Sequence, residues 1–427
     1  MSKKKIKVFT ISDHPLLPSG VATQTKYVIE ALLKTGNFEV WSLGGAVKHS
    51  SYDVVTTPEY GMDWRIIPVD GYGQQDHVRQ ILKEFKPDIL YFMTDPRFYG
   101  WLWEIEDEIR KVVPMLYYHV WDNKPYPFFN EPFYSSNDHI ACISKVTYDI
   151  VQNVSPGVPS TYVPHAVNDV FFKPPVTDAE KLAIEQVKLN ILGEEFYNTN
   201  KKKIFFWNNR NARRKQSGSL IFWFNDFINQ VGKDKAVLIM HTDPRDPHGQ
   251  NLDYIAAHLQ LTRENFMLSK DKLPAQELAK FYQAADYTIN IADAEGFGLA
   301  TLESLSCGTP VIATMTGGLQ EQVTNGKDWF GFGIKPSSRA VIGSQEVPFI
   351  YEDRISRQDF ISTMRKAIRT KPEKYKKMCL GGINHVRTNY NFANFEKQWV
   401  DLMTNLHKEC GSWEERRNYA SWECINI

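Results

Sequence analysis

The sequence predicts an α/β protein built from two doubly wound, Rossmann-like domains. Three observations carry this expectation. The chain has 427 residues, too many for one ordinary hydrophobic core. Short apolar runs alternate with amphipathic segments along most of its length, the pattern of parallel strands joined by helices. That series is interrupted between Phe171 and Lys203, where Pro174, Pro175 and a charged amphipathic stretch stand, and then begins afresh.

The elements follow in order. Ile6 to Ile11 is an apolar run that reads as a buried strand. The loop Ser12 to Gly20 leads to a helix from about Val21 to Leu33. A strand, a Gly-containing loop and a helix form the opening unit of a doubly wound sheet. Strands are then expected at Phe38–Leu43, Asp88–Met93, Val112–Val120, His139–Ile143 and Thr161–Pro164. Helices are expected at Gln74–Phe85, Trp101–Lys111 and Lys145–Asn153. After a connecting helix near Asp178–Leu192, the second series opens at Ile204–Trp207. It continues through strands at Ala236–Met240, Phe266–Leu268, Tyr287–Ile291 and Pro310–Thr314. The tail from about Asn391 carries Phe392, Phe395, Trp399 and Leu402 at helical spacing, while the stretch holding Trp413 and Trp422 shows no period and reads as a loose arm or an oligomer contact. The expected domains are therefore 1–170, a linker with a helix at 171–203, 204–390, and a tail at 391–427.

Composition narrows the function. Lys plus Arg and Asp plus Glu both total 50, which argues against a general polyanion-binding coat. Cys142, Cys307, Cys379, Cys410 and Cys424 are odd in number and scattered, so neither a zinc site nor a disulfide framework is indicated, and a reducing cytoplasm is the expected setting. The basic start, Met1 to Lys7, precedes a strand-like run and not a signal-peptide core, and no apolar run approaches the roughly 20 residues that span a bilayer.

The most informative stretch runs from Ala294 through Glu295-Gly296-Phe297-Gly298-Leu299 to Glu303, then Gly308-Thr309-Pro310-Val311. It follows a strand and opens a helix. Gly296 and Gly298 let the backbone approach a ligand, and the free N–H groups of the helix start suit an anion. Glu295 and Glu303 are placed to hold sugar or ribose hydroxyls. A second cluster, Asn208 to Lys215, follows the first strand of the second series; an Arg fork and a Lys point charge there suit a diphosphate leaving group. His119 ends a strand of the first series and precedes Trp121-Asp122; such a lone His is more often structural than catalytic.

These motifs resemble, in order along most of the chain, the retaining glycosyltransferases with the GT-B fold, the family 4 or group 1 set that includes bacterial glycogen synthases and many mannosyl and lipopolysaccharide transferases. The family pattern is E-x7-E, matched by Glu295 and Glu303, with Gly317-Gly318-Leu319-Gln320-Glu321 similar to its Gly-Gly-x-x-Glu loop. The resemblance implies two domains facing across a cleft, with a C-terminal helix crossing back to the first. It implies a nucleoside-diphosphate sugar of UDP or GDP type as donor, with no cofactor. Arg210 and Lys215 match the family's diphosphate-binding pair, although Asn209 stands where a Gly is usual. Gly20, in Pro18-Ser19-Gly20-Val21, matches a reduced form of the family's first Gly-rich loop. His119 takes the place of a His beside the donor sugar, and Asp122 either orients it or touches the acceptor. Gly20, Glu295, Gly296, Phe297, Gly298, Leu299 and Glu303 line the donor, and His119, Glu295, Arg210 and Lys215 carry the chemistry.

No Asp-x-Asp pair occurs in the chain, and retention of configuration without a metal ion is expected. The acceptor is open at this stage. Its recognition falls to first-domain loops such as Asp95 to Tyr99, with Arg97, and Asn123 to Ser136, whose aromatic faces suit a glycan, a lipid-linked sugar or a flipped hydroxymethylated base in phage DNA. Two rivals remain: an epimerase or phosphorylase on the same fold, and a non-catalytic sugar-nucleotide-binding protein, which would be expected to lose Glu295, Lys215 or His119.

Overall fold

The computed structural model describes residues 4–199 and 202–422. Met1 to Lys3, Asn200, Lys201 and 423–427, with Cys424 among them, lie outside the described residues. The chain divides into two compact units, one of 1–166 and 393–427, the other of 167–392.

The first unit runs β1 (Ile6–Asp13), α1 (Gly20–Leu33), β2 (Phe38–Gly45), β3 (Trp64–Pro68), α2 (Gln75–Glu84) and β4 (Ile89–Met93). It continues with α3 (Gly100–Trp103), α4 (Glu106–Arg110), β5 (Met115–His119), α5 (Glu131–Ser135), β6 (His139–Cys142), α6 (Lys145–Val154) and β7 (Ser160–Tyr162). The strands form one sheet in the order β3-β2-β1-β4-β5-β6-β7, and every pairing is parallel. Val8, Phe9 and Ile11 of β1 are buried, as both faces of a helix-covered sheet require. The strand order reverses between β1 and β4, the position at whose C-terminal ends open α/β sheets bind ligands.

The second unit contains α7 (Asp178–Tyr197), β8 (Lys203–Asn208), α8 (Ser217–Val231), β9 (Ala236–His241), α9 (Leu252–His258), β10 (Phe266–Ser269), α10 (Ala275–Ala284) and β11 (Tyr287–Asn290). Then come α11 (Leu299–Ser306), β12 (Val311–Thr314), α12 (Leu319–Val323), β13 (Gly331–Ile334), a hairpin of β14 (Ser338–Ile342) and β15 (Ile350–Arg354), α13 (Arg357–Ile368) and α14 (Pro372–Asn389). Its main sheet is parallel, in the order β10-β9-β8-β11-β12-β13, with the reversal between β8 and β11. Phe205, Trp207, Leu220, Phe224, Phe227 and Met240 form the centre of its core. Two Rossmann-like sheets are what the alternation of elements predicted.

The differences are local. The expected helix over Trp101–Lys111 is two short pieces, because bonding tightens at Ile105, whose N–H donates to Leu102 O at 3.2 Å. α7 carries Gly193 at φ +75°, so regular helix stops at Leu192 as expected, with one further turn beyond. β3, β13 and the β14–β15 hairpin were not anticipated. β13 reads Gly-Phe-Gly-Ile, and two glycines erase a strand signal, yet Gly331 is required: a Cβ there would lie 1.9 Å from Val311 O.

The chain returns to the first unit with α15 (Phe392–Cys410). Its buried stripe is Phe395, Trp399, Met403, Leu406 and Cys410, while Leu402 is half-buried. Trp399 meets Tyr91 and Tyr118, on β4 and β5, edge-on at centroid distances of 5.6 and 4.7 Å. The segment after α15, read from sequence as a loose arm or an oligomer contact, instead lies on the first unit. Trp413 Nε1 donates to Pro87 O at 2.9 Å, Ser412 Oγ to Asp88 at 2.6 Å, and Arg416 pairs with Asp138 at 2.5 Å with both side chains 5% exposed. Among the described residues no helix is long and apolar enough to cross a membrane.

Candidate active site

Two loops of the second unit hold the motif residues, and both leave the C-terminal ends of the strands where the sheet order reverses. The loop after β8 makes a tight turn at Arg213–Lys215, and Gln216, at φ +56°, redirects the chain into α8. The loop after β11 carries Glu295. Lys215 and Glu295 form an ion pair, with residue exposures of 7% and 8%. Burial alone would raise the Glu295 carboxyl, but Lys215 and then Arg214 outweigh it and hold the group below the usual carboxylate range. Asn290, at the end of β11, lies 3.5 Å from the same carboxylate.

Gly296 to Leu299 lead into α11. Gly298 sits at φ +92°, and a Cβ on it would come within 2.6 Å of Leu319 Cδ2, so this turn accepts no side chain. Glu303 lies one turn inside α11 and accepts from the Tyr282 hydroxyl at 2.6 Å, which itself accepts from Asn208 Nδ2 at 2.8 Å. Burial pushes the Glu303 carboxyl up to about 7 against the opposing Tyr282 bond. The Gly317-Gly318 loop packs directly on this turn. Gly318 N–H donates to Glu295 O at 2.9 Å, and a Cβ on Gly317 would lie 2.0 Å from that oxygen, so the pair braces the Glu295 loop.

The three arginines of the first loop have distinct partners. Arg210 is exposed and forks onto Asp246 at 2.6 and 3.2 Å, with His248 at 2.7 Å; that fork holds Asp246 down to about 2. Arg213 forks onto Glu352 of β15 at 2.8 and 2.5 Å. Arg214 donates to Ala294 O at 2.6 Å. Sequence reasoning missed the groups that hold these loops: Gln216 and Arg354 both bind Asp293, at 2.6 Å each, and Arg354 also pairs with Glu352. Burial raises Asp293 to about 6. Asp293 stands two residues before Glu295, the one signal for it in the sequence; Glu352 and Arg354 lie on a hairpin that no motif marks.

In the first unit, Gly20 opens α1 behind Ser19, whose Oγ accepts from Ala22 N–H at 3.0 Å and donates to Asp13 at 2.6 Å. His119 is fully buried at the end of β5, its Nε2 paired with the Tyr134 hydroxyl at 2.7 Å, and burial lowers it to about 3, so the ring is neutral. Asp122 follows in a half-buried stretch. Arg97 forks onto Asp95 at 2.8 and 2.7 Å, with its guanidinium 5.8 Å from the Trp121 ring. His165 is buried against Tyr118 at 2.8 Å.

Residues 197–367 match the family described as glycosyl transferases group 1. Among curated relatives, a D-inositol 3-phosphate glycosyltransferase of Streptosporangium roseum is 51% identical over 53 residues, 12% of each chain. An alpha-monoglucosyldiacylglycerol synthase of Streptococcus pneumoniae is 27% identical over 176 residues, 41% of this chain and 37% of that one. The matched stretches thus span between about an eighth and two fifths of these relatives. Solved structures similar to the fold include sucrose-phosphate synthase from Thermosynechococcus elongatus, with TM-score 0.73 and 16% identity over 95% of this chain and all of that one. Another is HepE of Anabaena in complex with UDP and glucose, with TM-score 0.67 and 12% identity over 94% of this chain and all of that one. The second unit thus carries a segment of the glycosyl transferases group 1 family, and the two Rossmann-like sheets have the two-domain α/β fold of these solved structures, the GT-B fold.

Proposed function

We propose that the protein transfers a sugar, with retention of anomeric configuration and without a metal ion, from a nucleoside-diphosphate sugar to an acceptor hydroxyl. The observation that carries this reading is the buried Lys215–Glu295 pair at the strand-order reversal of the second unit. Such a crevice is where open α/β sheets bind ligands. A diphosphate takes the Lys215 ammonium, and the sugar hydroxyls replace it as donors to Glu295. The α11 N-terminus, with Gly298 beside it, adds amide dipoles, and Glu303 is placed for ribose hydroxyls. Arg210 joins the diphosphate by exchanging Asp246 for it. A UDP-sugar is the favoured donor, since the HepE and trehalose-6-phosphate synthase neighbours are described with UDP and with UDP-2-fluoro glucose.

In the reaction the bond between the anomeric carbon and the diphosphate oxygen breaks, and the acceptor oxygen bonds that carbon on the same face. The acceptor proton passes to the departing phosphate oxygen, so no carboxylate nucleophile is required. Fixed positive charge at the leaving oxygens supplies the electrostatic stabilisation. His119, in the first unit, is a neutral hydrogen-bonding group whose Nε2 is taken by the Tyr134 hydroxyl. The free thiols Cys142, Cys307, Cys379 and Cys410 fit a reducing, cytoplasmic setting. Calorimetric titration with UDP-glucose, UDP-galactose and GDP-mannose tests the donor site. Binding of one of them, weakened at least tenfold by Lys215→Ala, supports the reading; an unchanged affinity in that variant refutes it.

A further inference from the structure

We propose that the acceptor is an uncharged, hydroxyl-rich ring, a sugar or cyclitol without phosphate, received by Asp13, Tyr72 and Phe98 in the first unit. This rests on the glycosyltransferase reading and names the second substrate. Asp13 ends β1, at the strand-order reversal of the first sheet, where a ligand crevice is expected. Its carboxylate accepts from Ser19 Oγ at 2.6 Å and from the Tyr72 hydroxyl at 2.9 Å, which leaves lone pairs for a further hydroxyl.

Tyr72 is delivered by a loop clamped on the end of β2. Ala46 N–H donates to Gly71 O at 2.6 Å, and a Cβ on Gly45 would lie 2.0 Å from that oxygen. Gly71 and Gly73 flank Tyr72 at φ +57° and +92°, a turn other residues enter only with strain. Phe98 stacks on Tyr72 with centroids 5.4 Å apart and planes at 27°, and it is 52% exposed. An open aromatic face beside a fixed carboxylate suits the C–H face and the rim hydroxyls of a sugar.

Charge decides between acceptor classes. Asp13 and Asp95 both act on the Tyr72 hydroxyl, Asp13 through the 2.9 Å hydrogen bond and Asp95 through its charge. Arg97, on the same turn as Phe98, has its fork on Asp95. A phosphate placed here meets the Asp13 and Asp95 carboxylates. Phosphorylated cyclitols and the backbone of DNA are therefore disfavoured.

The test uses the full chain with UDP-glucose, or whichever nucleotide sugar it hydrolyses fastest, and measures UDP release with candidate acceptors. The panel holds maltose, methyl glucoside and myo-inositol against glucose 6-phosphate, inositol 3-phosphate and an oligodeoxynucleotide with hydroxymethylcytosine. The expected result is a higher kcat/KM for a neutral ring, with its KM raised about five- to tenfold by Phe98→Ala and by Phe98→Leu. Phe98→Leu keeps the bulk and loses the flat face, so it answers the question should the alanine variant fail to fold. A phosphorylated acceptor or DNA with the higher kcat/KM, or an unchanged acceptor KM in Phe98→Leu, overturns the proposal while leaving the donor reading intact. A chain that neither binds nor hydrolyses any nucleotide sugar overturns both.

Discussion

Lys215→Met isolates the buried Glu295 carboxylate and should be costly in a pH-dependent way. Both side chains are about one tenth exposed, and the ammonium is the main charge that keeps Glu295 ionised. Removing one partner of a buried pair costs about 3–5 kcal/mol. For a unit of this size that lowers the melting temperature by roughly 6–20 °C. The sign with pH follows from linkage. In the native protein the Glu295 pKa is depressed, so its contribution is present at neutral pH and lost as pH falls through the folded value. In Lys215→Met only Arg214 and Asn290 still oppose burial and the pKa rises, so the carboxyl protonates more readily and the deficit shrinks toward pH 5. Adding Glu295→Gln should recover most of the stability, because an uncharged pair of similar volume avoids the stranded charge. Activity should not recover, since the charge at the leaving oxygens is still missing. Differential scanning calorimetry at pH 5 and pH 8 reads the first effect and UDP release the second. A melting deficit equal at both pH values, or a double variant no more stable than Lys215→Met, would refute this account of the pair.

Trp399→Ala should destabilise the first unit by about 3–5 kcal/mol, because the ring is fully buried between Tyr91, Tyr118 and Phe395; urea unfolding followed by circular dichroism measures it. Donor affinity should weaken as pH falls below about 7, where the Glu303 carboxyl takes up a proton, by up to about tenfold per unit. The same titration on Glu303→Gln should be flat across that range, and a slope that survives the substitution assigns the proton elsewhere. EDTA should leave UDP release unchanged, and a rate restored only by added manganese or magnesium would contradict metal-independent transfer.

The architecture was legible because strands buried on both faces are written as unbroken apolar runs, as in Ile6–Ile11 and Ile204–Trp207. The parts that escaped lack such a signature. β13 is half glycine, β14 of the hairpin is largely exposed, and Trp413 and Arg416 are fixed by partners some 300 residues away. Lys215 was named from a resemblance to a family motif and Glu295 from its Gly-rich turn and the same resemblance, and both stand on loops that leave strand ends at the reversal of the second sheet. Their mutual pairing could not be read from the sequence, nor could the capture of Arg210 by Asp246 and of Arg213 by Glu352, because each depends on tertiary neighbours that no local pattern encodes. His119 shows the same limit. Its place at a strand end was readable, but its enclosure by Tyr134 was not.

The central claim is retaining sugar transfer at the Lys215–Glu295 site, and following the anomeric proton by NMR tests it most directly. The wild-type chain is incubated in EDTA with an α-configured nucleotide sugar such as UDP-glucose and a neutral disaccharide. The account predicts that the first new anomeric signal is α-configured, grows in step with free UDP, and is absent with Lys215→Ala. A β-configured first product, or transfer undiminished in that variant, would contradict it.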